Sequence, residues 1–289
     1  PEMSRGLGDV YKRQVFTLLV AFTVLTACED NNDSANSSNP AMAFSKIQLS
    51  EDSPYEAGTP TVTTTQTYSY SQGKLTDFTT VQSYSVQGEP MKIENTASVT
   101  YNEHQAVVTD NFGNVSTYLL DDNGYATSCT RQETGTTRTY IFSYFVAPEG
   151  EYYLENITEN VNGEIYASID IDYNNYQALR ITQKVDTYEQ AYTATTPATN
   201  ETNNVSEVPC LFFTGLYPLS LHSAALHGKL LGEPFNILID RIIPDGNTAS
   251  KEVTKYTYSF DKRNIITSCK EVINSYGTDY IRTVHYVIE

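Results

Sequence analysis

The sequence predicts a mainly β protein, an antiparallel β-meander with one short covering helix. Apolar and polar residues alternate along many segments, as in Tyr256-Thr257-Tyr258-Ser259-Phe260, and a period of two is the pattern of strands that bury one face. Turn residues such as Asn162-Gly163 separate these segments at short intervals, which indicates hairpins between neighbouring strands. The composition agrees, because the 289 residues include 23 tyrosines and many threonines, and both residue types are common in strands.

Residues 1–27 are predicted to be removed from the mature protein. Residues 4–14 are similar to translated adapter sequence, and the apolar stretch 15–27 suits the hydrophobic region of a signal peptide. That stretch is shorter than the roughly 20 residues that span a bilayer. Leu25-Thr26-Ala27-Cys28 resembles the lipobox of bacterial lipoproteins, in which the cysteine carries the lipid. We therefore expect lipid attachment at Cys28; the alternative is an ordinary secretory signal in which this cysteine is incidental.

Residues 28–45 are predicted to form a flexible acidic tether. Segment 29–40 has almost no apolar side chains, so it cannot pack into a core. Acidic residues directly after the lipidated cysteine resemble the surface-export signals of Bacteroidota lipoproteins, and a plain spacer is the alternative. Residues 46–289 are then expected to form a single antiparallel β domain at the outer membrane, facing the periplasm or the cell surface.

A weak internal repeat indicates one hairpin after another. The unit is a strand, a turn rich in Asp, Asn and Gly, and a returning strand; it occurs at 118–129, at 258–269 and, in a shorter form, at 70–75. About a dozen strands are expected. Cys129 and Cys269 take equivalent positions in two units, which favours buried free thiols over a disulfide between them.

The period of two breaks in one region of the chain. Segment 188–209 is rich in Thr and Asn and is predicted to be a long loop. In the segment 219–231 that follows, Leu and Ala recur at helical spacing, and Gly232 is a helix stop signal. We expect this helix to cover an open end or face of the sheet, with its apolar side turned inward.

Charge and motif spacing argue against several classes of function. The net charge of −17 repels phosphate backbones, so nucleic-acid binding is not expected. His222 and His227 are five residues apart, whereas a helical metal pair is four apart. Asp170-Ile171-Asp172 begins a calcium-loop pattern that Asn175 and Ile181 do not continue. The sequence contains no G-x-S-x-G nucleophile elbow, no P-loop and no dinucleotide-binding fingerprint. We expect no cofactor and no metal, a protein that is not an enzyme, and a monomer.

Aromatic residues on the inward faces of strands are the candidate ligand-binding residues. They could line a cavity for an apolar small molecule or form an ordinary core, and tyrosines also stack against sugars. The candidates lie on two predicted strands: Tyr140, Phe142, Tyr144, Tyr256, Tyr258 and Phe260.

Together these motifs resemble a Bacteroidota lipoprotein family, the domain of unknown function 4595, which has a porin-like fold. The resemblance rests on Tyr-x-Tyr-x-x-x-Gly hairpins, on segment 227–234 followed by an apolar run, and on the closing hairpins up to Glu289. It begins near Tyr68 and departs at the Thr/Asn insertion before Pro209 and at Asn264, where the hairpin pattern often has Gly. The resemblance implies a large, strongly curved antiparallel sheet forming an open or incomplete barrel, and it brings no catalytic residues.

We therefore expect a lipid-anchored, non-catalytic protein of the cell envelope that binds a lipid or another apolar ligand in its curved sheet. Members of the resembling family have been regarded as lipid-binding candidates. The alternative is a surface glycan-binding or adhesion module. An integral outer-membrane barrel is disfavoured, because its lipid-facing strands would need uninterrupted apolar alternation.

Overall fold

The chain forms a closed β-barrel in the computed structural model. The structure describes residues 45–54, 61–148, 150–174, 178–196, 221–233, 238–246, 253–262, 265–275 and 278–289. Cys28 and the rest of the predicted leader and tether up to residue 44 lie outside these ranges, as do Cys210 and residues 197–209 of the predicted loop 188–209. For the start of that segment the loop prediction is wrong, because Tyr188–Thr195 forms a strand.

Sixteen strands and one helix lie in the described part of the chain. The strands are β1 Lys46–Pro54, β2 Thr61–Ser71, β3 Lys74–Val86, β4 Glu89–Asn102, β5 Gln105–Asp110, β6 Val115–Leu120, β7 Ala126–Glu133, β8 Thr136–Val146, β9 Tyr152–Val161, β10 Glu164–Asn174, β11 Ala178–Val185, β12 Tyr188–Thr195, β13 Arg241–Pro244, β14 Thr254–Phe260, β15 Ile266–Ser275 and β16 Thr278–Ile288; the helix, α1, is Ala224–His227.

Each strand pairs antiparallel with the next along the chain, which confirms the predicted meander. The expectation of an open or incomplete barrel is wrong, because β1 also pairs with β16, from Ile47 opposite Ile288 to Asp52 opposite Thr283. Closure gives the edges of both strands a partner and removes two exposed sheet edges. The sheet also has sixteen strands rather than about a dozen.

Alternate residues of each strand face the barrel interior. On β2 and β3, Tyr68 lies opposite Phe78, and both side chains are buried. On β10 and β11, Ile171 lies opposite Ile181, and both are buried as well. The inward residues form one apolar cluster that runs around the barrel, as the sequence periodicity predicts.

The two ends of the barrel differ. We call the end that holds the turns 72–73, 103–104 and 121–125 the plugged end, because residues 221–233 and 238–240, named here the plug, lie against it. The opposite end, with the turns 87–88, 111–114 and 134–135, is the far end. Turn residues with positive φ, such as Gln72 at 50° and Gly73 at 74°, give the hairpins the left-handed backbone that tight two-residue turns require.

The helix is much shorter than the sequence suggests. The helical spacing predicts 219–231, but only Ala224–His227 is helical, and residues 219 and 220 lie outside the described ranges. The helix ends early because Lys229 takes a φ of 55° while the Leu230 N–H donates to the Ala225 carbonyl at 3.0 Å, which is the bonding of a Schellman C-cap. Within the described residues, no helix is long and apolar enough to cross a membrane.

The internal repeat is confirmed in atomic detail. Three hairpins shift register at the same place, between Ser69 and Tyr70, between Leu119 and Leu120, and between Ser259 and Phe260. In each, a threonine hydroxyl on the returning strand donates to the carbonyl before the shift at 3.2 Å: Thr76 to Ser69, Thr127 to Leu119 and Thr267 to Ser259. A β-bulge therefore recurs at the same position of the repeat unit.

Candidate functional site

The three candidate aromatic residues of β8 point into the barrel. Tyr140 is fully buried and its ring is stacked with that of Phe142, with centroids 6.5 Å apart. The Tyr140 hydroxyl lies 3.5 Å from a carboxylate oxygen of Glu159. Tyr144 is half-buried and donates a hydrogen bond to the carbonyl of Ala126 at 2.6 Å. These residues therefore pack the interior wall from its middle to the plugged end.

The three candidates of β14 also face the interior. Tyr256, Tyr258 and Phe260 are half-buried and pack against the apolar cluster. Burial and the nearby Glu271 carboxylate raise the pKa of Tyr256 well above its usual range, so its phenol stays neutral. β8 and β14 are not neighbours in the barrel, and the two aromatic groups belong to different parts of its wall.

Tyrosine hydroxyls hold the plug at several points around the rim. Tyr70 donates to the carbonyl of His227 at 3.0 Å, and Tyr258 donates to that of Ile239 at 2.8 Å. Tyr144 lies 3.3 Å from the carbonyl of Leu230, which also accepts from the Ala126 N–H at 2.7 Å. Two of the candidate ligand-binding residues, Tyr144 and Tyr258, thus bind the protein's own backbone.

The buried side chain of His227 packs against the inner face of β2. Its ring is stacked on Tyr68 with centroids 3.6 Å apart, and its Nδ1 has no hydrogen-bond partner in the described structure. Burial lowers the pKa of His227 from 6.5 to about 3, so the imidazole is neutral. His222 is buried too; its Nδ1 accepts from the Ala224 N–H at 3.1 Å.

A ladder of charged side chains lines the interior toward the far end, on β5 to β9. Arg131 donates to Glu133 at 2.7 Å and to Asp110 at 3.3 Å. Arg138 donates to Glu133 at 3.2 Å and to Glu159 at 2.7 Å. Burial would raise the pKa of Glu133, but hydrogen bonds from both arginines lower it overall. Glu133 therefore stays ionised between the two guanidinium groups, and the ladder couples neighbouring strands.

A second ionic group lines another part of the wall, on β1, β15 and β16. Arg282 contacts Glu271 directly and lies 3.7 Å from Glu51. Burial alone would lower the pKa of Arg282, but these carboxylates raise it above its ordinary value. The interior is therefore graded, with apolar and aromatic groups at the plugged end and ion pairs toward the far end.

A cluster of half-buried tyrosines marks one side of the plugged rim. The Tyr125 ring centroid lies 5.8 Å from that of Tyr144 and 5.5 Å from that of Tyr152. The Tyr125 hydroxyl lies 2.7 Å from a carboxylate oxygen of Glu233, and the Glu233 N–H donates to the Tyr152 carbonyl at 2.7 Å. Burial, followed by the Glu233 contact, raises the pKa of Tyr125.

The described cysteines are buried free thiols, as predicted. Cys129 lies opposite Tyr118, and Cys269 opposite Tyr258, at matching places in two repeat units. Burial raises the pKa of each thiol to about 12, so both stay protonated and are poor nucleophiles. Within the described ranges, no group of three or more His, Cys, Asp or Glu side chains is placed to hold a metal ion.

Comparison with known proteins identifies the family. The family described as a domain of unknown function (DUF4595) with porin-like fold matches residues 68–268. The chain belongs to this family. A porin-like protein from Bacteroides uniformis, known from a crystal structure, is 53% identical in sequence to this DUF4595 chain. The match covers 86% of this chain and 99% of the Bacteroides uniformis chain, with a TM-score of 0.79. A porin-like protein from Bacteroides vulgatus is 10% identical, covers 85% of this chain and 98% of its own, and has a TM-score of 0.49. No curated protein matches the chain.

The outer face of this DUF4595 barrel is polar. On β11, Leu179 and Ile181 are buried, and the alternate residues Arg180, Thr182 and Lys184 face outward. Exposed apolar side chains such as Leu119 and Ile141 are scattered over this face. Other outward positions are Thr65, Thr67, Ser69, Thr96, Ser98, Thr100, Thr130, Thr139, Asp170, Asp172 and Thr257. A porin-like barrel is a fold of the bacterial envelope, and the family therefore associates the chain with the envelope.

Sequence reasoning found the inward aromatic residues but missed the plug contacts and the charged ladder. The sequence does contain a signal for the charged ladder. Arg131 and Glu133 alternate in phase with the inward Cys129 and therefore place charges on the buried face of β7. The rim cluster had none, since Tyr125 and Glu233 are more than a hundred residues apart.

Proposed function

We propose that this protein is a lipid-anchored, non-catalytic protein of the cell envelope whose barrel holds a lipid or similar amphipathic ligand. The carrying observation is the polarity of the wall: its outer face is polar, and its inner face is apolar and aromatic at the plugged end, with paired charges toward the far end. A barrel that spans an outer membrane has the reverse arrangement, with an apolar band outside and a polar interior. The inverted wall suits a barrel that stands in water and keeps an apolar molecule away from it.

The anchor supplies the membrane attachment that the wall does not. A wall that presents Arg180, Thr182 and Lys184 outward would be costly to place in hydrocarbon, because charged residues facing lipid destabilise such barrels. Acyl chains on Cys28 contribute about 0.8 kcal/mol for each buried CH₂, and two chains suffice for stable attachment. The tether 28–45 then links the lipid to Ser45, which hydrogen-bonds to Tyr70 and Glu289 at the plugged end.

The graded interior fits an amphipathic ligand better than a purely apolar one. In the structure the plug fills the apolar end with Leu221, Leu230 and Leu231, all buried. A hydrocarbon chain takes the place of these leucines when the plug is displaced, and the exchange of one apolar surface for another costs little hydrophobic free energy. The polar end of the ligand faces the ion pairs of Arg131 and Arg138.

We include no catalytic step in this function. The buried thiols of Cys129 and Cys269 are protonated. The ladder carboxylates of Asp110, Glu133 and Glu159 each contact an arginine. Against the effect of burial, hydrogen bonds from Arg131 and Arg138 lower the pKa of Glu133, which makes this carboxylate a poor general base.

Lipid analysis of the purified protein tests the ligand. The Cys28→Ser protein, which lacks the anchor itself, is extracted with organic solvent and analysed by mass spectrometry. We expect one lipid species at close to one molecule per chain, absent from a sample refolded without lipid and regained on incubation with envelope extract. A barrel that carries no lipid and regains none contradicts the proposal. Palmitate labelling tests the anchor separately; equal labelling of wild type and Cys28→Ser excludes attachment at this cysteine.

A surface glycan-binding module is the second candidate, and the rim cluster favours it. Tyr125 and Tyr152 are half-buried aromatic rings beside the Glu233 carboxylate, a combination that can stack on a sugar face and accept its hydroxyls. A glycan array separates the two functions. Binding that is lost in Tyr152→Ala and kept in Tyr188→Ala, at an exposed tyrosine of the far end, would favour the glycan function.

A further inference from the structure

The barrel wall has one short joint in the described residues. β13 and β14 share two register pairs, Arg241 opposite Lys255 and Ile242 opposite Thr254. The two adjacent joints are longer, with four register pairs between β12 and β13 and seven between β14 and β15. Cross-strand pairs are the unit of sheet stability, so this joint, which we call the seam, is the weakest part of the wall.

Charge weakens the seam further. Arg241 and Lys255 are register partners, and both are exposed on the outer face. Like charges directly opposite each other destabilise a strand pair. The joint between β11 and β12 shows the favourable arrangement, because its register partners Lys184 and Glu189 form an ion pair at 3.5 Å. Arg241 instead forms an ion pair with its sequence neighbour Asp240, at 3.4 Å.

The plug passes directly into the seam. The Asp240 N–H donates to the Thr195 carbonyl on β12 at 2.9 Å, and the Asp240 carbonyl accepts from the Tyr256 N–H on β14 at 2.9 Å. The Thr195 hydroxyl also lies 2.5 Å from an Asp240 carboxylate oxygen. One residue therefore bridges the strands on both sides of β13 and joins the plug to the wall.

The inner side of the seam is apolar. Leu238, Ile239 and Ile242 are buried, and Ala194 on β12 lies opposite Ile242. When β13 separates from β14, the gap opens onto the buried Ile239 and Ile242 and onto Tyr256, whose register partner Glu271 belongs to the second ionic group. The backbone groups uncovered at a two-pair joint are few, and water can satisfy them at the barrel surface.

We propose that the seam between β13 and β14 is a lateral gate, with residues 238–244 as its moving part, through which an amphipathic ligand enters the barrel. The ligand part of this inference rests on the proposed function; the opening of the seam does not. Movement of Asp240 draws the plug away from Tyr258 and frees the apolar end at the same time. The like-charged pair keeps the closed joint weak enough to open.

A disulfide across the seam tests the gate. The Tyr256 N–H donates to the Asp240 carbonyl, and Arg241 and Lys255 are the next residues along the two strands and are register partners. Register partners of an antiparallel pair have Cα atoms about 4.5–5.5 Å apart, within the range of a disulfide. The lock is Arg241→Cys with Lys255→Cys in the full chain carrying Cys28→Ser and Cys210→Ser, so that those thiols do not compete. The matched control is Lys184→Cys with Glu189→Cys, also an outward register pair, on β11 and β12.

Hydrogen exchange measures the opening itself. In the reduced lock and in wild type, we expect residues 238–244 and 254–258 to exchange at least tenfold faster than β11 and β12. Oxidation of the seam lock slows this exchange at least tenfold, and oxidation of the control lock does not. Lys255→Glu, which places a carboxylate opposite Arg241, slows it without a covalent bond. Exchange at the seam as slow as in β11, or unchanged by the lock, overturns the gate.

Uptake of the apolar fluorophore N-phenyl-1-naphthylamine separates the gate from the ligand function. We expect uptake by wild type and by the oxidised control, and at least tenfold slower uptake by the oxidised seam lock, restored on reduction. Equally fast uptake by the oxidised seam lock overturns the seam as the entry route. If no variant takes up the fluorophore but the lock still slows exchange, the proposed ligand function fails and the opening of the seam stands.

Discussion

Arg131 and Arg138 lie directly opposite each other on β7 and β8, with both side chains directed into the barrel. Their repulsion is relieved by Glu133, which accepts a hydrogen bond from Arg131 at 2.7 Å and from Arg138 at 3.2 Å. Asp110 and Glu159 complete the ladder at its two ends. The ladder links β5 to β9 through side chains as well as through the backbone, and its members depend on one another.

Removing Arg138 alone should therefore lower the free energy of unfolding more than removing Arg138 together with Glu159. Arg138→Met leaves the buried Glu159 carboxylate without its guanidinium, which we expect to lower the free energy of unfolding by about 3 kcal/mol. Combining Arg138→Met with Glu159→Leu should recover most of this loss, because the Glu159 carboxylate is removed together with its cation and the remaining carboxylates Asp110 and Glu133 keep Arg131. Urea denaturation of the single and double variants measures both values.

The control is the exposed pair of Lys184 and Glu189, 3.5 Å apart. Lys184→Met should change the free energy of unfolding by less than about 1 kcal/mol, since exposed ion pairs contribute little. A cost for Arg138→Met as small as that for Lys184→Met would show that the ladder is not an energetic unit.

The strands and turns of this fold could be predicted well from the sequence. The period of two identified the inward residues, and Gln72-Gly73 and Asn162-Gly163 marked turns whose backbones do have positive φ. Closure of the barrel was not predictable, because the pairing of β1 with β16 joins segments more than two hundred residues apart and leaves no local pattern. The length of the helix was overestimated because the leucine spacing is helical up to Leu231. The helix ends before Lys229, which adopts the left-handed conformation usually taken by glycine at a helix C-terminus.

The candidate site was predictable only in part, for a related reason. An inward tyrosine is recognisable from its strand, but its hydrogen-bond acceptor is not. Tyr258 and Ile239 meet only because the plug returns to the wall beside β14. The role of such tyrosines as plug contacts therefore depended on tertiary structure, as did the two ionic groups.

Gly232 should be intolerant of a side chain. A Cβ at this position would lie 2.5 Å from the Tyr152 carbonyl oxygen and 3.2 Å from the Tyr144 ring, and its φ is +85°. Gly124 has a similar φ of +87° but open space around it. We expect Gly124→Ala to cost about 1 kcal/mol, the strain of a left-handed residue, and Gly232→Ala to cost clearly more. Equal thermal denaturation midpoints for the two variants would contradict the close packing of the plug.

Introducing a charge into the plug should destabilise the protein more at a buried position than at a half-buried one. Leu230 is buried, whereas Leu226 is half-buried. Leu230→Asp places an unpaired carboxylate in the apolar interior, and we expect a loss of about 4 kcal/mol in the free energy of unfolding. Leu226→Asp should cost less than half as much. Chemical denaturation compares them, and the reverse order would mean that the other side of the plug faces the barrel.

The last prediction concerns acid stability and His227. Burial lowers the pKa of this imidazole from 6.5 to about 3, so between those values the unfolded chain binds a proton that the folded protein does not. Stability is then full above pH 6.5 and falls as the pH falls toward 3, by about 2 kcal/mol from this residue between pH 7 and pH 5. His227→Phe keeps a ring on Tyr68 but cannot be protonated, so we expect it to lose about 2 kcal/mol less than wild type over the same pH change. His285→Gln, at an exposed position of β16, is the control and should follow wild type. Urea denaturation of the three proteins at pH 7 and pH 5 gives the comparison; parallel losses in all of them would show that His227 is protonated in the folded barrel or that the plug already admits water.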